Sequence, residues 1–188
     1  MELILDWLVN NWFELVGAIF GIIAIILQIK RKVSYWPVVI IAALFYVFIY
    51  YNARIYAYMS FQFYYLGVSI FGWYYWVKHK NTKEKGEAAN DINRLDLKTF
   101  IILMIISAVL FVVFYLVLSK FTNTDIPYGD AFITAISCVA TWLLAKKYLE
   151  NWLFWIVTDS LAVVLYFHKA LYPTVILYVL YLILAVVG

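Results

Sequence analysis

Charge is what this chain has least of. Asp, Glu, Lys and Arg together make up 13% of its 188 residues, about half the roughly 25% of an ordinary soluble domain. A single cysteine, Cys138, excludes an intrachain disulfide and leaves the redox compartment open. His79 and His168 stand alone in or beside loops, so no metal-ligand cluster forms and no cofactor is expected. No Gly-rich phosphate loop with its lysine is present, which excludes ATP hydrolysis by the chain itself. No nucleophile stands beside a base, and the last apolar run lacks the lysine a retinal Schiff base needs. The N-terminal MELILDWLVNNW carries acidic residues in place of the basic region of a cleaved signal peptide, so the first apolar run is expected to be retained.

What the chain has instead is apolar surface: 67% apolar residues, 21% aromatics and a mean hydropathy of +0.91. A soluble core of this length cannot hide so much, so the expected solvent is lipid, and a nucleic-acid binder, a soluble enzyme and a disordered scaffold are excluded. A span needs roughly 20 mostly apolar residues. Seven runs approach this, at 12–29, 36–51, 56–77, 99–118, 129–145, 151–168 and 172–187. Several of the breaks between them are only a few residues long, so neighbouring helices must be antiparallel. Of the 14 Lys and Arg residues, Arg54, Lys120 and Lys169 fall on one side, and the rest fall on the other, in 30–32, 78–98 and 146–147. Basic loops stay in the cytoplasm, so the N-terminus is expected outside and the C-terminus inside. The charged stretch 78–98 reads as a solvated cytoplasmic loop.

Sliding the chain against itself by 116 residues aligns Glu14 with Asp130, Lys30-Arg31 with Lys146-Lys147, and Trp36 with Trp152. Tyr50 then meets Tyr166, Tyr56 meets Tyr172, Tyr65 meets Tyr181, and Gly72 meets Gly188. The layout expected is an extracellular N-terminus at 1–11, a three-helix repeat at 12–77, and the loop at 78–98. A linker helix at 99–118 and a second repeat at 129–188 complete it. Equivalent helices lie four spans apart, so both halves point the same way. Parallel repeats of this kind place a substrate site near mid-membrane between the halves.

Three acidic residues fall inside the runs. Glu14 and Asp130 sit in first turns, where interfacial placement near a positive helix end and a role in a cavity both remain open. Asp159 lies seven residues past Trp152, roughly 10 Å deeper at 1.5 Å per residue. Intramembrane charges usually face a cavity and serve function. Trp152, Trp155, Asp159, Ala162 and Tyr166 share one helical stripe. Trp36, Val39, Ala43, Tyr46 and Tyr50 form the repeat-related stripe. Span 3 offers Tyr58, Gln62, Tyr65, Ser69, Gly72 and Trp76; span 7 offers Thr174, Tyr178 and Tyr181; span 5 offers Thr134, Ser137 and Thr141. Such faces would line a cavity for a flat cationic ring with a polar tail. Indoles and phenols attract the cation, Asp159 balances it, and Gln62 or Asn52 bonds its hydroxyls or amines. Trp36, Trp76, Trp142 and Trp152 near span ends also suit an interfacial belt.

The run Trp152-Leu-Phe-Trp155-Ile-Val-Thr-Asp159 resembles the W-x-x-W-x-x-x-N/D signature of the PnuC family of vitamin transporters. Flanking Glu150-Asn151, Leu165-Tyr166 and Ala170-Leu171-Tyr172 are similar to the same family. So are Trp36-Pro37 and Gly72-Trp73-Tyr74-Tyr75-Trp76 in the first half. The resemblance implies a three-plus-one-plus-three all-α fold of the SWEET type, a homotrimer, and residence in a bacterial cytoplasmic (inner) membrane. It implies facilitated diffusion of nicotinamide riboside, thiamine or a related vitamin, trapped by a soluble kinase that makes no stable contact. Within the family, Asn at the Asp159 position goes with nicotinamide riboside and Asp with thiamine. Family-wide naming keeps nicotinamide riboside in the lead, with thiamine the alternative and a non-transporting scaffold or receptor behind both. Substrate contact is expected from Trp152, Trp155, Asp159, Gln62, Trp36, Tyr46, Tyr65 and Tyr166.

Overall fold

The structure, a computed structural model, describes residues 12–52, 56–84, 92–122, 124, 126–168 and 172–187. The readings placed on 1–11 and Gly188, and on the side chains of Glu14, Tyr50, Asn52, Tyr56, Tyr58, Tyr172 and Thr174, lie outside what is described. Among the described residues seven helices follow one another: α1 Trp12–Ile29, α2 Tyr35–Asn52, α3 Tyr56–Glu84, α4 Leu97–Phe121, α5 Pro127–Ala145, α6 Asn151–His168 and α7 Tyr172–Val187. They match the seven expected runs closely. The departure is α3, which continues seven residues past Val77 into the polar stretch. Hydropathy marks where lipid ends, whereas Lys, Asn and Glu still propagate a helix. His79 is in that extension, its ring 4.0 Å from that of Tyr75.

Six helices close a ring in the order α1, α2, α3, α5, α6, α7, with α7 returning to α1. α4 stays outside, against α5. By length and composition α4 and α5 can each cross a bilayer, and 17% of the apolar window of α4 is buried against 56% of that of α5. So α4 lies on the perimeter, and α5, packed against α3, α4 and α6, is the more covered of the two. The outer surface is apolar on every side, with Ile23, Phe48, Phe63, Ile105, Val164 and Ile183 among its exposed side chains. Water-soluble monomers rarely expose apolar surface on this scale; it is a surface suited to lipid.

The α1–α2 and α5–α6 connections have the same backbone. Arg31 N–H donates to the Gln28 carbonyl and Lys32 N–H to that of Leu27, each at 2.9 Å. Lys147 donates to Leu144 and Tyr148 to Leu143, also at 2.9 Å. Both are Schellman endings, whose pivotal residue takes the left-handed conformation: Arg31 at φ 49° and Lys147 at φ 59°. Tyr35 and Trp36 then open α2 on the carbonyls of Lys32 and Val33, and Asn151 and Trp152 open α6 on those of Tyr148 and Leu149. Each of these bonds is displaced from its counterpart by 116 residues.

The end of the 78–98 stretch is docked rather than loose. Asn93 pairs with the backbone of Lys147 and Leu149, and its side-chain amide donates to the Lys146 carbonyl at 2.6 Å. Leu95 N–H donates to Glu150, which also faces Arg94 at 3.8 Å. Asp96 then caps α4 by accepting from Thr99 N–H at 3.2 Å, and hydrogen bonding from the Thr99 side chain and then its backbone holds the exposed carboxyl below the usual range.

Beside the α1–α2 connection, Trp36 is fully buried between Tyr35 and Trp76, edge-on to both. The Trp76 indole donates to the Ala145 carbonyl at 3.2 Å, joining α3 to α5. Trp36 and Trp76 are therefore packing residues, not belt residues. The Trp36 ring lies directly on Gly72, where any Cβ would collide with it. Alanine ordinarily gains about 1 kcal/mol over glycine in a helix. Here overpacking, worth about 1–3 kcal/mol, opposes it, and Trp36 is hemmed in on both sides. Gly72→Ala is expected to lower the thermal unfolding midpoint of detergent-purified protein; a raised midpoint would show that Trp36 has room to move.

Candidate substrate cavity

The ring encloses a cavity of about 300 Å³ to which every ring helix contributes and α4 does not. α6 supplies most of its chemistry: Trp152, Trp155, Thr158 and Asp159 at i, i+3, i+6 and i+7 turn toward the ring centre. Thr158 is consumed locally, its hydroxyl donating to the Trp155 and Phe154 carbonyls at 3.0 and 3.2 Å. Asp159 is 5% exposed, and among the described residues no hydrogen bond or ion pair reaches its carboxylate. The Trp155 indole N–H is buried and likewise has no acceptor. The cavity thus holds a carboxyl and an indole N–H that the described residues leave unpaired, with ring faces around them.

Beside α6, Tyr178 and Tyr181 come from α7, their rings 5.9 Å apart and nearly perpendicular. Tyr65 of α3 and Tyr35 of α2 add phenols, and Ser137 of α5 a hydroxyl. α1 approaches closely because Gly21 faces the Tyr181 hydroxyl, in space a Cβ would occupy. At one end Gln28, 7% exposed, donates to the Asn151 side chain at 3.4 Å.

Of the expected contact residues, Trp152, Trp155, Asp159 and Tyr65 meet on this wall. The other four are placed elsewhere. Trp36 lies in the tryptophan cluster described above. Its neighbour Tyr35 reaches the cavity instead, because consecutive residues diverge by about 100° around a helix. Tyr166 stands behind the wall, stacked on Tyr178 at 5.3 Å. Gln62 is half-buried on α3 and Tyr46 is exposed on α2, and neither lines the cavity. Asp130 accepts a bond from the Thr124 hydroxyl at the end of α5, which favours the interfacial reading of that residue. Sequence reading overlooked Gln28, Tyr35 and Gly21. Gln28 had a legible signal, as the one amide in the first apolar run; Gly21 had none.

A lipid-facing helical ring around a ligand-sized cavity, aromatic with one buried carboxylate, defines a membrane protein that handles a small polar or cationic molecule. The relatives are consistent with that class. Residues 11–188 match the family described as nicotinamide mononucleotide transporter, and the chain belongs to that family. It is 24% identical to the nicotinamide riboside transporter PnuC of Escherichia coli (strain K12), over 95% of this chain and 83% of the relative. It is 26% identical to the nicotinamide riboside transporter PnuC of Neisseria mucosa, over 95% of this chain and 71% of the relative. A crystal structure of the vitamin B3 transporter PnuC superimposes with a TM-score of 0.74 over all of this chain and 83% of the other, at 24% identity, and so shares its fold.

The unused indole N–H makes a specific forecast. Trp155→Phe keeps a ring face and removes only the donor and part of the area. Ligand affinity is expected to fall by about tenfold, the value of one hydrogen bond plus some contact, with insertion unchanged. Unaltered affinity in a titration would mean that the indole N–H does not face the ligand.

Proposed function

We propose that this chain is a facilitative carrier that takes up a B vitamin bearing a cationic ring, with nicotinamide riboside the lead substrate. The observation that carries the proposal is Asp159: a buried carboxyl that receives no hydrogen bond or ion pair from the described residues, set among ring faces. A carboxylate in low dielectric is stabilised chiefly by an opposite charge, and a pyridinium ring supplies one while stacking on Trp152 or Trp155. The names of the Escherichia coli and Neisseria mucosa relatives support nicotinamide riboside. Aspartate rather than asparagine at position 159 favours the second reading, thiamine, whose thiazolium is also a cation.

The architecture proposed is a three-plus-one-plus-three parallel repeat of the SWEET type, with α1–α3 and α5–α7 as halves and α4 as linker. Identical hydrogen bonding at the two basic connections supports it, as does a cavity between the halves that excludes α4. The proposed orientation puts both basic connections in the cytoplasm of a bacterium, with the N-terminus outside and the C-terminus inside. A homotrimer follows the resemblance, and the exposed flank of α4 offers the surface for it. Transport runs downhill as a uniport, and a soluble kinase phosphorylates the vitamin. A phosphate carries about −1.5 to −2 charges and is repelled by Asp159, so the product cannot return through the cavity.

The test is counterflow into liposomes holding purified protein, with nicotinamide riboside and thiamine in parallel. Wild type is expected to equilibrate one of them regardless of a pH gradient. Asp159→Ala is expected to insert normally and lose at least about 30-fold in affinity, as when a buried charge loses its partner. Full uptake by Asp159→Ala would sink the role of the carboxylate. Accumulation driven by the pH gradient would replace uniport with proton coupling, and no counterflow of any vitamin would restore the scaffold reading.

A further inference from the structure

The substrate cavity has one thin wall. At the end of the bundle that carries both basic connections a second cavity, about 250 Å³, adjoins it, with Trp76, Tyr148 and Leu149 in its lining. Gln28 and Trp152 belong to the walls of both. Asn151 lines the outer cavity and not the inner one, and its side chain accepts a hydrogen bond from the Gln28 amide at 3.4 Å. Both side chains are buried, so the bonded pair separates the two spaces. Among the described residues α1 packs on α2 and α7 and not on α6. The two amides therefore span a gap that the helices themselves leave.

The two halves of this joint are supported differently. Asn151 is held: its side-chain N–H donates to the Tyr148 carbonyl at 2.6 Å, and the connection it follows is pinned by Asn93 on Lys147 and Leu149. Gln28 makes no other side-chain hydrogen bond among the described residues. The 116-residue offset carries Gln28 to Leu144 and Tyr35 to Asn151. Leu144 and Tyr35 lie together in the buried cluster around Trp36 and Trp76, so apolar packing closes the corresponding position. Parting an apolar seal exposes surface to water at a cost proportional to its area. A parted amide pair re-bonds to water, and its net hydrogen bond shifts a population by about tenfold or less. Of two corresponding positions, one is sealed by packing and the other by a bond that parts easily.

We propose that the Gln28–Asn151 bond is the gate between the substrate cavity and the basic side. Made, it closes the cavity at that end; broken, it joins the two cavities into one passage. Asn151 is the fixed half, and Gln28 moves away with α1. That the gate serves a vitamin rests on the carrier proposed above; the partition between the cavities does not.

Thiol labelling inside the substrate cavity tests this without any ligand. The reporter is Ser137→Cys, in a Cys138→Ala background that keeps the backbone carbonyl to which Tyr64 donates. A membrane-impermeant quaternary-ammonium thiosulfonate is added to either face of sided vesicles. Gln28→Leu and Asn151→Leu are each expected to speed labelling from the basic face by about three- to tenfold, the value of one hydrogen bond, and to leave the opposite face unchanged. The double leucine variant is expected to label no faster than either single one, since both remove the same interaction. Asn151→Asp keeps the acceptor and loses the donor to Tyr148, and is expected to label as slowly as wild type. The proposal falls if neither leucine variant speeds labelling, if both faces speed up together, if the double variant adds the two effects, or if Asn151→Asp labels like Asn151→Leu. Nicotinamide riboside affinity is expected to stay within about threefold in Asn151→Leu, which lies outside the substrate cavity; a loss of about tenfold or more would make Asn151 a ligand contact and overturn the gate. A wild type that carries no vitamin, with the labelling pattern intact, would keep the gate and overturn the carrier instead.

Discussion

A carboxyl group in the middle of a lipid-embedded ring has to be accommodated, because its charged form is costly there, and the rest of this architecture is arranged around that constraint. Desolvating such a group costs several kcal/mol even after relaxation. Asp159 receives no hydrogen bond or ion pair from the described residues to offset this. The aromatic wall does not solvate it either, since ring faces are themselves electronegative. What the wall and the carboxylate share is affinity for a cation. On the proposed reading the cavity is complementary to a bound cation, which would distinguish a binding site from a packing core.

Holding that cavity open takes a rigid frame, and aromatic packing provides it at the basic end. Trp36 against Gly72, with Tyr35 and Trp76 at its sides, locks α2 to α3. The bond from Trp76 to Ala145 extends the lock to α5. Gly21 does the reverse on the other side, leaving room for the Tyr181 hydroxyl between α1 and α7. Between the two, Gln28 and Asn151 make a single 3.4 Å contact. This is a weak joint beside strong ones, and it lies at the end of the cavity nearest the basic connections.

The helices were legible because lipid enforces one rule along the whole chain: apolar runs of sufficient length must be helical, since every backbone group has to bond internally. That rule has no purchase past the membrane surface. Its failure there explains both the seven unforeseen residues of α3 and the docking of Asn93 through Leu95 onto the α5–α6 connection. The α6 stripe was legible for a related reason. Residues at helical spacing on one straight helix keep a common face over two turns, and Trp152, Trp155 and Asp159 duly meet in the cavity, whereas Tyr166, further along the stripe, stands behind the wall. Trp36 carries the same motif position in the other half yet faces away. Spacing fixes which residues share a face, but not the azimuth of that face.

From sequence alone came the seven runs, the 116-residue offset, the buried acid and its tryptophan stripe, because each is a one-dimensional pattern that a helix preserves. Tertiary structure decided the rest: that α4 stands outside the ring, that Tyr35 and not Trp36 reaches the cavity, and that Gln28 and Asn151 meet across 123 residues. Those outcomes depend on how each helix is rotated against its neighbours. In lipid, where one apolar face is as well solvated as another, rotation is set by close packing and by hydrogen bonds between helices, and neither is written in the pattern of a single span.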